Sequence, residues 1–131
     1  MGHKRIAFFA VLGVYLAMST SALPHHGYAA YDNTKTLSLK GTVTEYQMAN
    51  PHSTLKFDVK DESGKIQNWA IEFGTVRDLM KKGWTQDTLK PGDQIAVTLR
   101  PAKNGAPVGV SSKITYADGR EISGNPDVGA Q

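Results

Sequence analysis

Five runs of alternating hydrophobicity, one capped helix between the third and fourth, and a phase slip inside the first run predict an all-β fold with small α content. Three strands, a short helix and two more strands, with a first strand long enough to curl, is the order of the OB-fold, a five-stranded Greek-key barrel. A different small barrel or a two-sheet sandwich is the alternative.

The barrel is expected over residues 37–122. Leu37, Leu39, Gly41 and Val43 share one face of the first strand, and beyond Glu45 the apolar phase moves to Tyr46 and Met48. A one-residue slip in a long strand predicts a bulge or strong bend, and Asn50-Pro51 ends the strand. Leu55, Phe57 and Val59 give the second strand an inward face, and Asp61 to Gly64 supplies a hairpin connection. Trp69, Ile71 and Phe73 point inward in the third, with Asn68, Ala70 and Glu72 opposite. Thr75 to Lys82 predicts a helix whose apolar face is Val76, Leu79 and Met80. Thr75 caps it, Asp78 stands three residues later, and Gly83 ends it. Ile95, Val97 and Leu99 mark the fourth strand, and Val108, Val110, Ile114 and Tyr116 are expected on one face of the fifth. Trp84, just past the helix stop, either plugs the barrel end or stacks on a ligand.

Outside the barrel, His3, Lys4 and Arg5 precede an uninterrupted apolar run from Ile6 to Met18, followed by small residues up to Ala22. That order predicts a cleavable signal peptide over residues 1–22 and a periplasmic mature protein. The apolar run is short for a span of about 20 residues, so no membrane association is expected after cleavage; an uncleaved N-terminal anchor is the alternative. Residues 23–36 are polar and read as an extended arm, and residues 123–131 as a flexible tail. The chain has no cysteine, which removes disulfides and thiolate metal sites. The 15 basic residues fall to 13 once Lys4 and Arg5 leave with the signal, against 12 acidic ones. Without a basic stripe to neutralise phosphates, nucleic acid is not an expected partner.

The His25-His26 pair, Gly41-Thr42-Val43, Asn50-Pro51-His52, Asn68-Trp69, Gly83-Trp84 and Leu89-Lys90-Pro91-Gly92-Asp93 occur here in a fixed order. Together they resemble a family of small exported bacterial proteins of unknown function. The resemblance covers nearly the whole mature chain, although Tyr28 stands where a different residue is usual. It implies a periplasmic OB-like barrel and no established activity.

Three histidines lie beyond the signal: His25, His26 and His52. Imidazole suits copper and zinc. His52 sits in the connection between the first two strands, one of the two loops that flank an OB-fold's ligand face. An arm folding back over that face would bring the three rings together, and Met48 would add a thioether for Cu(I). Cleavage after Ala22 would place His25 third from the new amine, but Pro24 lacks the amide N–H that an amino-terminal copper site uses. The competing reading leaves the arm histidines solvated, His52 fixing its turn and Met48 in packing. Two functions follow: a metal-binding module, most plausibly for copper, or a module binding a small molecule, peptide or unknown periplasmic protein partner. No phosphate loop, nucleophile elbow or zinc-protease helix occurs, so no catalytic residue is nominated and an enzyme is not expected.

Overall fold

The computed structural model describes residues 27–122; the expected signal peptide, His25, His26 and the C-terminal tail lie outside the described residues. Strands β1 (Leu37–Gln47), β2 (Ser53–Lys60), β3 (Ile66–Phe73), β4 (Gln94–Pro101) and β5 (Val108–Tyr116) appear in the expected order, with helix α1 (Val76–Lys81) between β3 and β4. They close into a barrel in the order β1-β2-β3-β5-β4, with β4 returning to β1. All pairings are antiparallel except a short parallel contact of Ala70–Glu72 with Val108–Val110. This is the OB topology.

Strand β1 serves both halves of the barrel because it bends. The register against β2 shifts between Val43 and Glu45, leaving Thr44 as the extra residue. Val43 therefore points inward opposite Phe57, and after the shift Tyr46 does so opposite Leu55. At Gly41 the strands come so close that a Cβ would overlap the Asp58 carbonyl oxygen and lie 2.8 Å from the Phe57 ring. The interior is filled by Val43, Leu55, Phe57, Ile71, Ile95, Val97 and Leu99, each at most 1% exposed. Removing that much apolar surface from water is the main force closing the sheet.

One end of the barrel is plugged by Trp84, Leu79 and Leu89, all buried. Trp84 packs against Phe73 and Tyr46, and its Nε1 donates to the Ile122 carbonyl at 3.0 Å, so it is a plug and not a ligand platform. Thr75 caps α1, its hydroxyl oxygen accepting from Asp78 N at 3.1 Å. Met80, expected on the apolar face, is 63% exposed; a helix this short turns only Leu79 fully into the core.

Strand β5 departs from expectation. Leu99 pairs with Ser111 but Thr98 with Lys113, so Ser112 bulges out and the phase reverses. Ile114 and Tyr116 pack on the core, opposite Val97 and Ile95. Val108 and Val110 instead face outward, where they line surface cavities. Trp69 packs against the core as expected but is only half-buried.

The described part of the arm turns and docks instead of running straight. Tyr28–Ala30 is a 3-10 turn. Tyr31 then bridges to Ala102, Asp32 N donates to the Pro101 carbonyl at 2.8 Å, and Lys103 N donates to the Ala30 carbonyl at 3.0 Å. Tyr31 is 6% exposed.

Candidate functional site

Two cavities open on the outer surface and share a wall. The larger is a cleft of about 590 Å³ across the outer faces of β1, β2 and β3. Its small residues come from β3 (Ala70), the β4–β5 loop (Ala102, Ala106) and the arm (Ala30). Side chains that end at Cβ leave the space that longer ones would fill. Tyr31 and Val108 add apolar wall, and Glu45, Lys56, Glu72 and Lys103 add charge. Lys56 Nζ is tied to Glu45 Oε2 at 2.9 Å across the β1–β2 pair.

The smaller cavity, about 320 Å³, is a groove where β3 and β5 diverge after their short parallel contact. His52, Glu72, Arg100, Val110 and Gly27 line it, and Tyr31 and Glu72 belong to both cavities. Burial first, and the nearby negative charge of Glu72 second, raise the pKa of the Tyr31 hydroxyl above its ordinary value. The Arg100 guanidinium is held by Asn33 Oδ1 at 3.1 Å.

His52 is aimed by its neighbours in the β1–β2 connection. On one side Asn50 Oδ1 accepts from Val76 N at 3.1 Å, tying the turn to the start of α1. On the other, Ser53 is fully buried; its N donates to the Gly74 carbonyl at 2.9 Å and its Oγ accepts from Ala49 N at 3.2 Å. The imidazole between these anchors is 46% exposed, and its Nδ1 lies 3.5 Å from Glu72 Oε2.

The structure thus places His52 in a groove with Glu72, which with Asp58 is a candidate acidic partner in the sequence and sits on the outward face of β3. Met48 is 7% exposed within the apolar core cluster and does not line the His52 groove. His25 and His26 lie outside the described residues, yet Gly27, which follows His26, lines that groove. Among the described residues, no three of His, Cys, Asp or Glu gather as a metal-holding group. Tyr31, Ala30, Ala102 and Ala106 carried no periodic signal, and alternation placed Ala70 only on the outward face of β3; the pairing that brings them together is long-range.

Across residues 14–112 the sequence matches a family described as Family of unknown function (DUF6152). No curated protein matches the chain. Among solved structures, the barrel is similar to a mitochondrial single-stranded DNA binding protein of S. cerevisiae, Rim1. That likeness has a TM-score of 0.49 and 12% identity, covering 63% of this chain and 93% of that one. It is also similar to the N-terminal domain of the PriB protein from Thermoanaerobacter tencongensis. There the TM-score is 0.41 at 17% identity, covering 63% of this chain and 96% of that one.

Proposed function

The chain belongs to the DUF6152 family, and we propose that its barrel is a module binding a small amphipathic molecule or a short peptide segment in the β1–β2–β3 cleft. The observation that carries this is the cleft itself. At about 590 Å³ it lies within the usual range of about 300–1,000 Å³ for ligand pockets. It also occupies the face that OB-folds use, beside the β4–β5 loop. The mixed lining of small apolar and charged side chains suits a ligand with an apolar body and polar ends. Single-stranded nucleic acid fits less well: the cleft's lysines, Lys56 and Lys103, are matched by Glu45 and Glu72, and Lys56 is already paired. The module is taken to act in the periplasm after loss of residues 1–22, which N-terminal mass analysis of exported protein checks at Leu23.

The experiment is an anilinonaphthalene sulfonate titration of the parent and of Ala70→Trp, with circular dichroism as the folding control. Ala70 lies on the cleft side of β3, opposite Lys56 and Val108, so an indole there fills the cavity. A folded variant that no longer brightens the dye supports the reading, and unchanged dye binding refutes it.

A second reading, a copper or zinc ion held by His25, His26 and His52, has one observation in its favour: Gly27 and His52 line the same groove. His25 and His26 immediately precede Gly27 in the sequence.

A further inference from the structure

We infer that Tyr31 and Glu72, which form the wall shared by the cleft and the groove, recognise a primary ammonium group carried on an apolar chain. This deepens the cleft-binding reading and rests on it. Tyr31 supplies the first observation. It is 6% exposed, yet its hydroxyl makes no hydrogen bond among the described residues. No fully enclosed side-chain oxygen or nitrogen lacks a partner among those residues, so this hydroxyl reaches the open space of the two cavities it lines. A polar group set in an apolar wall without a protein partner is completed by water or by a ligand.

The charges around Tyr31 select the sign of the ligand. Glu45 and Lys56 neutralise each other at 2.9 Å. Lys103 is exposed on the β4–β5 loop, where salt and water screen it. Arg100 lines the groove only, and its guanidinium donates to Asn33 Oδ1. Glu72 differs from all of these. Its side chain is 27% exposed, and its one ion partner among the described residues is the His52 imidazole, with Nδ1 3.5 Å from Oε2. That imidazole cancels the carboxylate charge only when protonated, and it lines the groove but not the cleft. The Glu72 charge also acts on Tyr31, where it is second to burial in raising the hydroxyl pKa. An ammonium has three donors and no acceptor, so it can donate to the Glu72 carboxylate and the Tyr31 hydroxyl oxygen together. A ligand carboxylate in the same place would meet Glu72 as a like charge. The apolar chain has room over Ala30, Ala70 and Val108.

The test is an amide chemical-shift titration of the parent, Glu72→Gln, Tyr31→Phe and Ala70→Trp with hexylammonium, hexanol and hexanoate, with circular dichroism as the folding control. A lysine tripeptide capped at both ends, beside its norleucine counterpart, offers the same ammonium on a peptide. The parent should bind hexylammonium about 10–100-fold more tightly than hexanol, the factor of a charge-assisted hydrogen bond, with hexanoate weakest. Glu72→Gln should erase that preference. Tyr31→Phe keeps the ring and should reduce it by a smaller factor, about 3–10. Either ammonium source supports the site: a lysine peptide that outbinds hexylammonium makes the ligand a peptide, and the reverse makes it a free amine. If the three hexyl probes bind alike, or if Glu72→Gln keeps the preference for hexylammonium, while Ala70→Trp abolishes binding, the cleft stands and the ammonium site is overturned. If no probe shifts the cleft amides of the parent, or a folded Ala70→Trp binds as the parent does, the cleft reading fails and the ammonium site with it.

Discussion

Gln86 holds Met48 by both ends of its amide: Nε2 donates to the Met48 carbonyl at 2.7 Å, and Oε1 accepts from Met48 N at 3.1 Å. The side chain thereby acts as a one-residue strand partner where β1 has run out of backbone to pair with. It fixes the end of β1 just before the turn that carries His52. Gln86→Ala leaves both groups of Met48 without their partner and should cost about 1–3 kcal/mol. Urea unfolding of the variant checks this, and an unchanged midpoint would mean that water replaces the amide without loss.

The close approach of β1 to β2 rests on Gly41. A methyl there meets the Asp58 carbonyl and the Phe57 ring, both part of the paired and packed interior. Gly41→Ala should destabilise by about 1–3 kcal/mol through overpacking. Gly27→Ala, with nothing within 4 Å of the added Cβ, is the matched control and should unfold with the parent.

The two tryptophans should separate in their effects. Trp84 is 6% exposed and hydrogen-bonded, so Trp84→Ala should cost about 3–5 kcal/mol. Trp69 lies on the same inward phase as Ile71 but stays half-buried, so Trp69→Ala should cost less, about 1–3 kcal/mol. Equal losses would contradict the plug assigned to Trp84.

Much of this architecture was legible because it is local. The inward residues of β2 and β4 follow strict alternation, the slip near Glu45 marks the bulge at Thr44, and Thr75 with Asp78 marks the helix cap. The second bulge was not legible. Val108, Val110, Ile114 and Tyr116 all occupy even positions, and only pairing with β4 pushes Ser112 out between them. The site was harder still. Glu72 alternates out of the sheet like any solvated residue, and nothing in the pattern says that His52 will stand beside it. Tyr31 lies in a polar segment without periodicity, and its burial comes from backbone pairing to the β4–β5 loop.

Two ionisable groups should give stability opposite pH slopes. Asp61 accepts hydrogen bonds from the Ser63 side chain and from the Lys65 and Ser63 amides, which hold its carboxyl below the usual pKa. With the folded pKa below the unfolded one, its stabilisation is present above the ordinary carboxylate range and is lost as pH falls through that range and below. Asp61→Asn should flatten this part of the melting-temperature profile. Burial pushes the Tyr46 hydroxyl, which donates to the Thr85 carbonyl, up to about 12. With the folded pKa raised, its contribution is intact below pH 10 and declines as pH rises toward 12. Tyr46→Phe should remove that alkaline decline, and an unchanged slope would contradict the assignment.

Amide chemical-shift mapping with a library of small amphipathic fragments and tripeptides tests the binding cleft most directly. The ligand-binding account predicts saturable shifts concentrated at Lys56, Ala70, Lys103, Ala106 and Val108, the residues that the cleft brings together from β2, β3, the β4–β5 loop and β5. Ala70→Trp should abolish them while the spectrum stays folded. Shifts gathered instead around α1 and the Trp84 end, with the cleft residues unmoved, would contradict it.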